Sequence, residues 1–510
     1  MTTVTKKKSF LYRFLDTVER VGNALPHPAI MFLYLTFIVI VISGLVSMLG
    51  IQAIHPVTGE TITSVNLFSA AGLRYVLVEM VKSFTGFAPL GTVLVAMLGF
   101  SLAEKSGLLS TLLRLLVLKS PSQLLVPAVL LAGVLSHTGG DIGYVLLIPL
   151  AALTFHSAGR NPLAGLAICF AGVSGGFAAN ILLSTADPLL SGISQEAARI
   201  LDKTYVVTPL SNWYFMSASS VLIVGVGTLI ANKITIPFLG EYQGEHQTAA
   251  LTGLSPLEKR GLLMAGVVVL ALVAFLLLGL IPENGYLRDP QQPDLLHSSA
   301  LKGVVAIIFL FGALPGLAFG FASGNFKRQT DITDAMQDAM ATLAPYLVLV
   351  FFASQFISLF NFSNMGLILA VKGSEVLKEL GLGPIPLMLG FILLTVVLDL
   401  VIGSASAKWA LMAPIFVPMF MLLGVSPELS QASYRVADSV VNIISPLMSY
   451  FPLILAFAIK YNPKAKVGTV IAMMLPYSIG FLLFWSVMLF VWMTFNLPLG
   501  PGAVLRYVAP

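Results

Sequence analysis

Three polar residues lie on one face of an otherwise apolar segment late in the chain. Arg435, Asp438 and Asn442 follow one another at i, i+3 and i+7, a spacing that places them along one side of a helix. Charged groups inside a membrane segment are costly and usually functional, and an arginine can hold a carboxylate through two parallel hydrogen bonds. The pattern predicts an anion site, although a structural Arg435–Asp438 pair that only neutralises itself fits the same spacing.

The composition indicates that these residues lie in a membrane protein. The chain is 57% hydrophobic and only 10% charged, whereas soluble domains are about 25% charged. Five apolar runs reach the roughly 20 residues that a helix needs to cross a bilayer. They are 29–50, 212–232, 261–281, 303–320 and 467–495. We therefore expect an all-α polytopic protein with the lipid bilayer as its partner, and no nucleic-acid partner, because the basic residues cluster at helix ends.

Prolines recur at a fixed offset between the two halves of the chain. Each of three prolines has a counterpart 265 residues later, and Tyr144 matches Trp409 at the same offset. The pairs are Pro121 and Pro386, Pro149 and Pro414, and Pro162 and Pro427. The first repeat opens with a helix running outward and the second with one running inward. Two copies of opposite orientation form an inverted repeat, which is common among secondary transporters.

Each half contains two short apolar runs joined by a polar turn. The runs are about 121–135 and 142–157 around the turn 136–141, and about 384–400 and 409–422 around the turn 403–408. Runs of about 15 helical residues cover only about 22 Å, short of the roughly 30 Å hydrocarbon core. The pattern predicts two re-entrant hairpins whose tips stop inside the membrane, where irregular backbone is tolerated only in a protein-lined cavity.

The hairpin tips supply the next group of candidate site residues. They are Ser136, His137, Thr138, Gly139, Gly140 and Asp141 at the first tip, and Gly403, Ser404, Ser406 and Lys408 at the second. Lys408 either extends toward the membrane surface or bonds the carbonyls of the hairpin. Trp409 follows the second tip, which favours a position in the site over one in the aromatic belt at the membrane surface. Tyr144 is predicted to face the same cavity from the other hairpin.

A helix that should break follows each hairpin. The interruptions are "SGGFAAN" (174–180) and "STADP" (184–188) in the first half and "NIISP" (442–446) in the second. Freed carbonyls can coordinate a cation, and the N-termini of half-helices favour an anion. The candidate sodium ligands are Ser174, Gly175, Asn180, Ser404 and Asn442. Asp187 and Asp438 are alternative proton carriers, and Asp187 also fits a helix cap.

Three of these stretches resemble the p-aminobenzoyl-glutamate transporter family, AbgT. They are "AGVSGGFAANILLSTADPLLSGISQEAA" (171–198), "GSASAKWALMAPIFVPMFMLLG" (403–424) and "YRVADSVVNIISPLMSYFP" (434–452), and the opening "VERVGNALPHP" (18–28) also fits. The resemblance covers essentially the whole chain. It implies a homodimer with about nine transmembrane helices and two hairpins, and broken helices at the membrane midplane.

The resemblance also implies a substrate and the residues involved in its transport. The substrate is p-aminobenzoyl-glutamate, or a p-aminobenzoate-like antimetabolite such as a sulfonamide that is exported. The residues that carry over are Asp187, Ser406, Trp409, Arg435, Asp438 and Pro446. To these the residue patterns add Asn180, Asn442 and Tyr144. For this substrate, the Trp409 ring is predicted to stack on the aminobenzoyl group, which the Ser406 hydroxyl also reaches. Neither the direction of transport nor the choice between Na⁺ and H⁺ as coupling ion follows from the family.

Basic residues near the N-terminus set the predicted orientation. Lys6, Lys7 and Lys8 precede the first span, which places the N-terminus in the cytoplasm of a bacterial inner-membrane protein. The predicted segments are a cytoplasmic segment at 1–28, repeat 1 at 29–211, linking spans at 212–302 and repeat 2 at 303–510. Repeat 1 contains a broken helix at 162–194. Repeat 2 contains hairpin 2 at 384–422, a broken helix at 427–459 and a last span at 467–495.

Other functions fit parts of the pattern. A sodium-coupled dicarboxylate transporter would use the same anion site. An intramembrane aspartyl protease needs a glycine where Thr138 stands, so it is the weaker alternative, and we expect no enzyme activity and no catalytic residues. No GxxxxGK[ST] motif is present, which excludes ATP as a driving force through this chain. The single cysteine, Cys169, excludes an internal disulfide and a cysteine-based metal site, and no cofactor is expected.

Overall fold

The computed structural model describes residues 26–54, 59–118, 120–121, 123–139, 143–242, 253–291, 294–295 and 298–508. The segment before residue 26 lies outside these ranges, as do the tip residues Gly140 and Asp141. The predicted cytoplasmic N-terminus and the roles of those two residues therefore stay predictions. Within the described residues helices dominate, and the one sheet is a two-stranded antiparallel hairpin.

The first half of the chain contains hairpin 1 and the first broken helix. Its elements are α1 (Pro28–Met48), β1 (Gln52–Ile54), β2 (Thr61–Thr63), α2 (Ala70–Thr85), α3 (Ala88–Lys105), α4 (Leu108–Leu118), α5 (Leu125–Leu135), α6 (Ile148–Ser157), α7 (Pro162–Phe170) and α8 (Ala186–Ala198). A 3₁₀ turn follows α5 at Ser136–Gly139, and a π-helical turn precedes α6 at Gly143–Leu147. Another π-helical turn, Ala171–Gly175, ends α7. We call residues 176–185 break 1.

The rest of the chain contains the linking helices, hairpin 2 and the second broken helix. Its elements are α9 (Trp213–Ile230), α10 (Ile236–Leu239), α11 (Pro256–Leu280), α12 (Ser299–Lys302), α13 (Val304–Ser323), α14 (Gln329–Thr342), α15 (Ala344–Phe362), α16 (Met365–Glu379), α17 (Pro384–Asp399), α18 (Ala405–Met421), α19 (Pro427–Asn442), α20 (Phe451–Tyr461) and α21 (Val467–Thr494). We call residues 400–404 tip 2 and residues 443–450 break 2.

The five predicted long spans are all present, and two further ones were missed. By length and apolarity, seven described helical segments can cross a membrane, or up to eight if the pair α16–α17, bent by 118°, counts as one span. The missed segments are Ala70–Lys105 and Ala344–Phe362. In the first, Arg74, Glu79 and Lys82 dilute the apolar run. The total of about nine that the family resemblance implies is larger than the seven or eight found by length and apolarity among the described residues.

The order of elements repeats between the halves. Helices α5, α6, α7 and α8 form a hairpin and then a broken helix, and α17, α18, α19 and α20 repeat that order. Pro162 and Pro427, which are 265 residues apart, each occupy the first position of a helix after a hairpin. Proline is favoured there because its missing N–H has no intrahelical acceptor to lose. This pair therefore marks a shared helix start, whereas Pro149 lies in the first turn of α6 and its counterpart Pro414 lies inside α18.

The most polar of the long helices is also the most buried. Every residue of α19 is buried, including Glu428, Arg435 and Asp438. Ser426 caps this helix by accepting from the backbone N–H of Leu429. Helix α19 packs against α8, α17 and α21. In contrast, α11 buries only Gly261, Ala265 and Gly279, as expected of a helix that faces lipid.

Candidate functional site

Break 1 is held in place by side chains of α19. The backbone N–H of Ala178 donates to the Ser439 hydroxyl at 3.0 Å, and the Arg435 Nη2 donates to the Ala178 carbonyl at 3.1 Å. An interrupted helix leaves such backbone groups without intrahelical partners, and here α19 supplies two of them. The break is thus a defined conformation, with Arg435 fixed beside it.

Arg435 makes a buried ion pair with Asp187. Its Nη1 lies 2.7 Å from Oδ1 of Asp187, and the two side chains are 1% and 6% exposed. The other oxygen, Oδ2, accepts from the backbone N–H of Ser184 at 2.6 Å and from the Ser184 hydroxyl at 2.9 Å. Asp187 lies in the first turn of α8, where a negative charge is favourable. Both sequence interpretations of Asp187, as a cap and as a partner in the site, are compatible with this geometry.

The predicted alternative of a self-neutralising Arg435–Asp438 pair is wrong. The two residues share a face of α19, but Asp438 pairs with Lys408, whose Nζ lies 2.8 Å from Oδ1. Lys408 also contacts Asp399, which sequence reasoning overlooked. The ion pairs therefore cross between elements: Arg435 joins α19 to α8, and Lys408 joins α18 to α17 and α19.

Lys408 neither extends to the surface nor lies in the hairpin tip. Its side chain is 0% exposed. Ser404 caps α18 and the helix begins at Ala405, which places Lys408 in the first turn of the helix. Tip 2, at 400–404, consequently begins and ends earlier in the chain than the predicted 403–408. Ser406 is also helical, and its hydroxyl lies 3.5 Å from that of Ser404.

The Trp409 ring is enclosed by protein. It stacks on Tyr434 with ring centroids 4.5 Å apart, and its Nε1 donates to the Ser194 hydroxyl at 3.0 Å. In the other hairpin, Tyr144 stacks on Tyr450 of break 2, also at 4.5 Å. The predicted arrangement, with the rings of Trp409 and Tyr144 facing one cavity, is absent from this conformation, since each ring has its own aromatic neighbour.

Each hairpin rests against a broken helix at a glycine. A Cβ added to Gly133 of α5 would lie 2.8 Å from the backbone nitrogen of Val173, and one added to Gly403 of tip 2 would lie 2.8 Å from the carbonyl oxygen of Leu447. Hairpin 1 therefore touches the π-helical turn of the first broken helix, and tip 2 touches break 2. His137 adds to the first contact, because its ring nitrogen bonds the Val173 carbonyl.

The predicted sodium ligands divide into satisfied and unsatisfied groups. The Asn442 amide donates to Asp438 at 3.4 Å, and Ser404 caps α18. Ser174 and Asn180, both buried, have side-chain atoms without a hydrogen-bond partner among the residues described. Buried polar atoms usually find partners, so this part of the first broken helix has oxygen atoms available to a ligand. The described residues contain no cluster of His, Cys, Asp and Glu side chains able to hold a metal.

The remaining predicted residues lie at the edges of this arrangement. Pro446 is in break 2 and is partly buried. At tip 1, the Ser136 hydroxyl donates to the Gly133 carbonyl at 2.6 Å, whereas the buried Thr138 hydroxyl has no partner among the residues described.

Two cavities flank break 1 and α8 on the side of α3 and α13. One, of about 560 Å³, is lined by Pro188, Ser191 and Gln195 of α8, together with Lys302 and Glu428. The other, of about 430 Å³, is almost entirely apolar and reaches Thr138 of tip 1 and residues 181–183 of break 1. Volumes of about 300–1,000 Å³ are typical of small-molecule sites. The segment that carries Asp187 therefore borders space large enough for a small ligand.

Comparison with known proteins agrees with this architecture. A family model described as the AbgT putative transporter family matches residues 13–507. The p-aminobenzoyl-glutamate transport protein of Escherichia coli strain K12 is 42% identical over 489 residues, which are 96% of each chain.

Two solved structures are similar over nearly the full length. The Alcanivorax borkumensis YdaH transporter, described as having an unusual topology, is 46% identical with a TM-score of 0.90, over 93% of this chain and 100% of that one. Neisseria gonorrhoeae MtrF, described as illuminating a class of antimetabolite efflux pumps, is 48% identical with a TM-score of 0.92, over 96% and 100%. On these matches, the chain is a multi-pass membrane transporter that belongs to the AbgT family.

Proposed function

We propose that this protein is a cation-coupled secondary transporter of p-aminobenzoyl-glutamate or of p-aminobenzoate-like antimetabolites, including sulfonamides that it exports. The observation that carries the proposal is Arg435, a fully buried guanidinium beside a broken helix, whose Nε has no hydrogen-bond partner among the residues described. The E. coli relative is named for p-aminobenzoyl-glutamate and MtrF for antimetabolite efflux. The enzyme alternative is wrong, because the family and its relatives are transporters.

Arg435 can bind a substrate carboxylate through both of its Nη groups only by sharing these donors with Asp187. In this conformation Nη1 faces Asp187 and Nη2 faces the Ala178 carbonyl, whereas Nε has no partner among the residues described, so a bidentate grip by the two Nη groups requires Asp187 to move or to be neutralised. Binding and release of an anion then coincide with opening and re-forming of the ion pair between α19 and α8. This links the occupancy of the site to the position of α8, and the Trp409 ring, bonded to Ser194 of α8, would move with it.

The coupling ion is Na⁺ or H⁺ in this proposal. Unsatisfied oxygen atoms of Ser174 and Asn180 are suited to a small hard cation, and the buried carboxylates are suited to a proton. Alternating access is of the elevator type: the hairpins and broken helices carry the substrate and slide against α3 and α13, where the two cavities lie. The protein acts as a homodimer in the bacterial inner membrane with its N-terminus in the cytoplasm.

Uptake into proteoliposomes tests the proposal. Purified protein is reconstituted and offered labelled p-aminobenzoyl-glutamate under an imposed proton or sodium gradient, with p-aminobenzoate, a sulfonamide and succinate as competitors. We expect gradient-dependent transport that the aromatic compounds inhibit and succinate does not. Strong inhibition by succinate alone would favour the dicarboxylate alternative, and transport that persists with both gradients collapsed would rule out cation coupling.

A further inference from the structure

A buried lysine lies between two carboxylates in the core of this protein. Asp399 is the last residue of α17, Lys408 lies in the first turn of α18, and Asp438 lies in α19. The Lys408 ammonium contacts Asp399 and lies 2.8 Å from Asp438, and the three side chains are at most 2% exposed. The cluster therefore joins both legs of hairpin 2 to α19 at a buried position.

The two carboxylates are solvated unequally by the protein. Asp438 receives hydrogen bonds from the Tyr434 hydroxyl at 3.1 Å and the Asn442 amide at 3.4 Å, in addition to its contact with Lys408. Neither oxygen of Asp399 has a hydrogen-bond partner among the described residues, so the Lys408 ammonium is its one charged neighbour. A buried ionised carboxylate is costly unless donors surround it, so of the two carboxylates Asp399 gains more by becoming neutral.

The net charge of the cluster and the position of Asp399 on its helix also favour a neutral Asp399. One ammonium faces two carboxylates, which leaves the ionised cluster with a net charge of −1. Arg435 does not compensate, because it is paired with Asp187. Asp399 also lies at the C-terminal end of α17, where the helix dipole disfavours an anion. Helix α21, which packs against α17 as well, carries no charged side chain.

We propose that Asp399 is the residue that binds the coupling proton, which rests on the transport function proposed above and specifies its ion. A proton adds to one carboxylate oxygen of Asp399 from one side of the membrane and leaves to the other side, and no other bond is made or broken. A sodium ion fits less well, because it would sit beside the Lys408 ammonium and needs several oxygen ligands, whereas a proton needs none.

Protonation of Asp399 changes what Lys408 connects. With Asp399 ionised, Lys408 ties the two legs of hairpin 2 to each other and to α19. With Asp399 neutral, Lys408 and Asp438 form an ion pair with no net charge, and the ion pair between Lys408 and α17 is lost. Proton binding thereby frees the first leg of the hairpin from the second, and tip 2, which rests on break 2 at Gly403, becomes able to move.

The variant Asp399→Asn tests this proposal, because it imitates the protonated state with little change in shape. In proteoliposomes we expect it to lose accumulation of p-aminobenzoyl-glutamate driven by a pH gradient, and to lose the proton flux that substrate evokes in the wild type, while exchange at equal pH persists. The matched control is Asp338→Asn, which removes an exposed acid paired with Lys105 and should leave all three readings unchanged. Accumulation and proton flux at wild-type levels in Asp399→Asn would overturn the proposal.

A second measurement needs no substrate. Infrared difference spectra of the purified wild type across a pH titration should show the carbonyl stretch of a protonated carboxylic acid, and that band should be missing in Asp399→Asn. If the asparagine variant does not fold, Asp399→Glu should keep the band and the coupling with a shifted pH profile. A wild type that accumulates substrate only on a sodium gradient, with no proton flux, would contradict this inference and leave the transport function standing. A wild type that shows the band but neither binds nor moves p-aminobenzoyl-glutamate would contradict the proposed transport function and leave the protonation of Asp399 standing.

Discussion

Replacing either member of the Arg435–Asp187 pair should give opposite effects on substrate binding. Arg435→Ala removes the guanidinium that we expect to hold a carboxylate, whereas Asp187→Asn removes the group that competes with the substrate for it. The asparagine can still accept from Ser184, which now donates twice to Asp187. Arg435→Ala should therefore weaken p-aminobenzoyl-glutamate binding, and Asp187→Asn should tighten it or leave it unchanged. Both variants should lose transport.

The size of the effect follows from the contacts that Arg435 makes. A hydrogen bond to a charged group contributes about 1.5–3 kcal/mol, so loss of the arginine should raise the dissociation constant by about 10- to 150-fold. Arg435→Lys should recover little of this, because an ammonium offers a point charge in place of two parallel donors. Arg435→Ala also leaves Asp187 buried without its partner, which should destabilise the protein by about 3–5 kcal/mol.

Calorimetry and thermal unfolding of the purified protein separate these effects. A matched control is Arg114→Ala, which breaks another Arg–carboxylate pair, with Glu258, at a more exposed position away from the site. It should leave the dissociation constant unchanged. If Asp187→Asn weakens binding as much as Arg435→Ala does, the substrate does not compete with Asp187 and the reasoning is refuted.

Two further predictions concern hairpin 2. Trp409→Ala should weaken substrate binding by about tenfold or more and lower stability by about 3–5 kcal/mol, because the ring packs on Tyr434, whereas Trp409→Phe should be partly tolerated. Calorimetry measures the binding and thermal unfolding measures the stability. Wild-type values in the alanine variant would contradict the role of the Trp409 ring in binding and packing. Gly403→Ala should lower transport, because its Cβ would lie 2.8 Å from the Leu447 carbonyl, whereas Gly390→Ala on the same hairpin has open space and should be neutral in the same uptake assay.

The hairpins and breaks were predictable because their signals are local. Short apolar runs, Gly pairs and prolines at helix starts are read within a few residues of one another, and both broken helices are found where those signals occur. The boundary of tip 2 was misplaced, since the capping role of Ser404 was overlooked and Lys408 was assigned to the turn. Helix α2 was missed because its three charged residues resemble those of a loop.

The partners of the buried charges were not predictable from spacing. Arg435 and Asp438 share a helical face, but Arg435 pairs with Asp187 of another broken helix and Asp438 with Lys408 of a hairpin. These pairs are set by how α8, α18 and α19 cross, which local sequence does not encode. Asp399 did carry a signal, as a single acid within an apolar run, and the rule that intramembrane charges are functional would have identified it.

The most direct test of the account is a structure of the protein with p-aminobenzoyl-glutamate bound. The account predicts a substrate carboxylate within hydrogen-bond distance of the Arg435 guanidinium, with the Asp187 carboxylate displaced from its present 2.7 Å separation. A substrate bound elsewhere, with the Arg435–Asp187 pair unchanged, would contradict it.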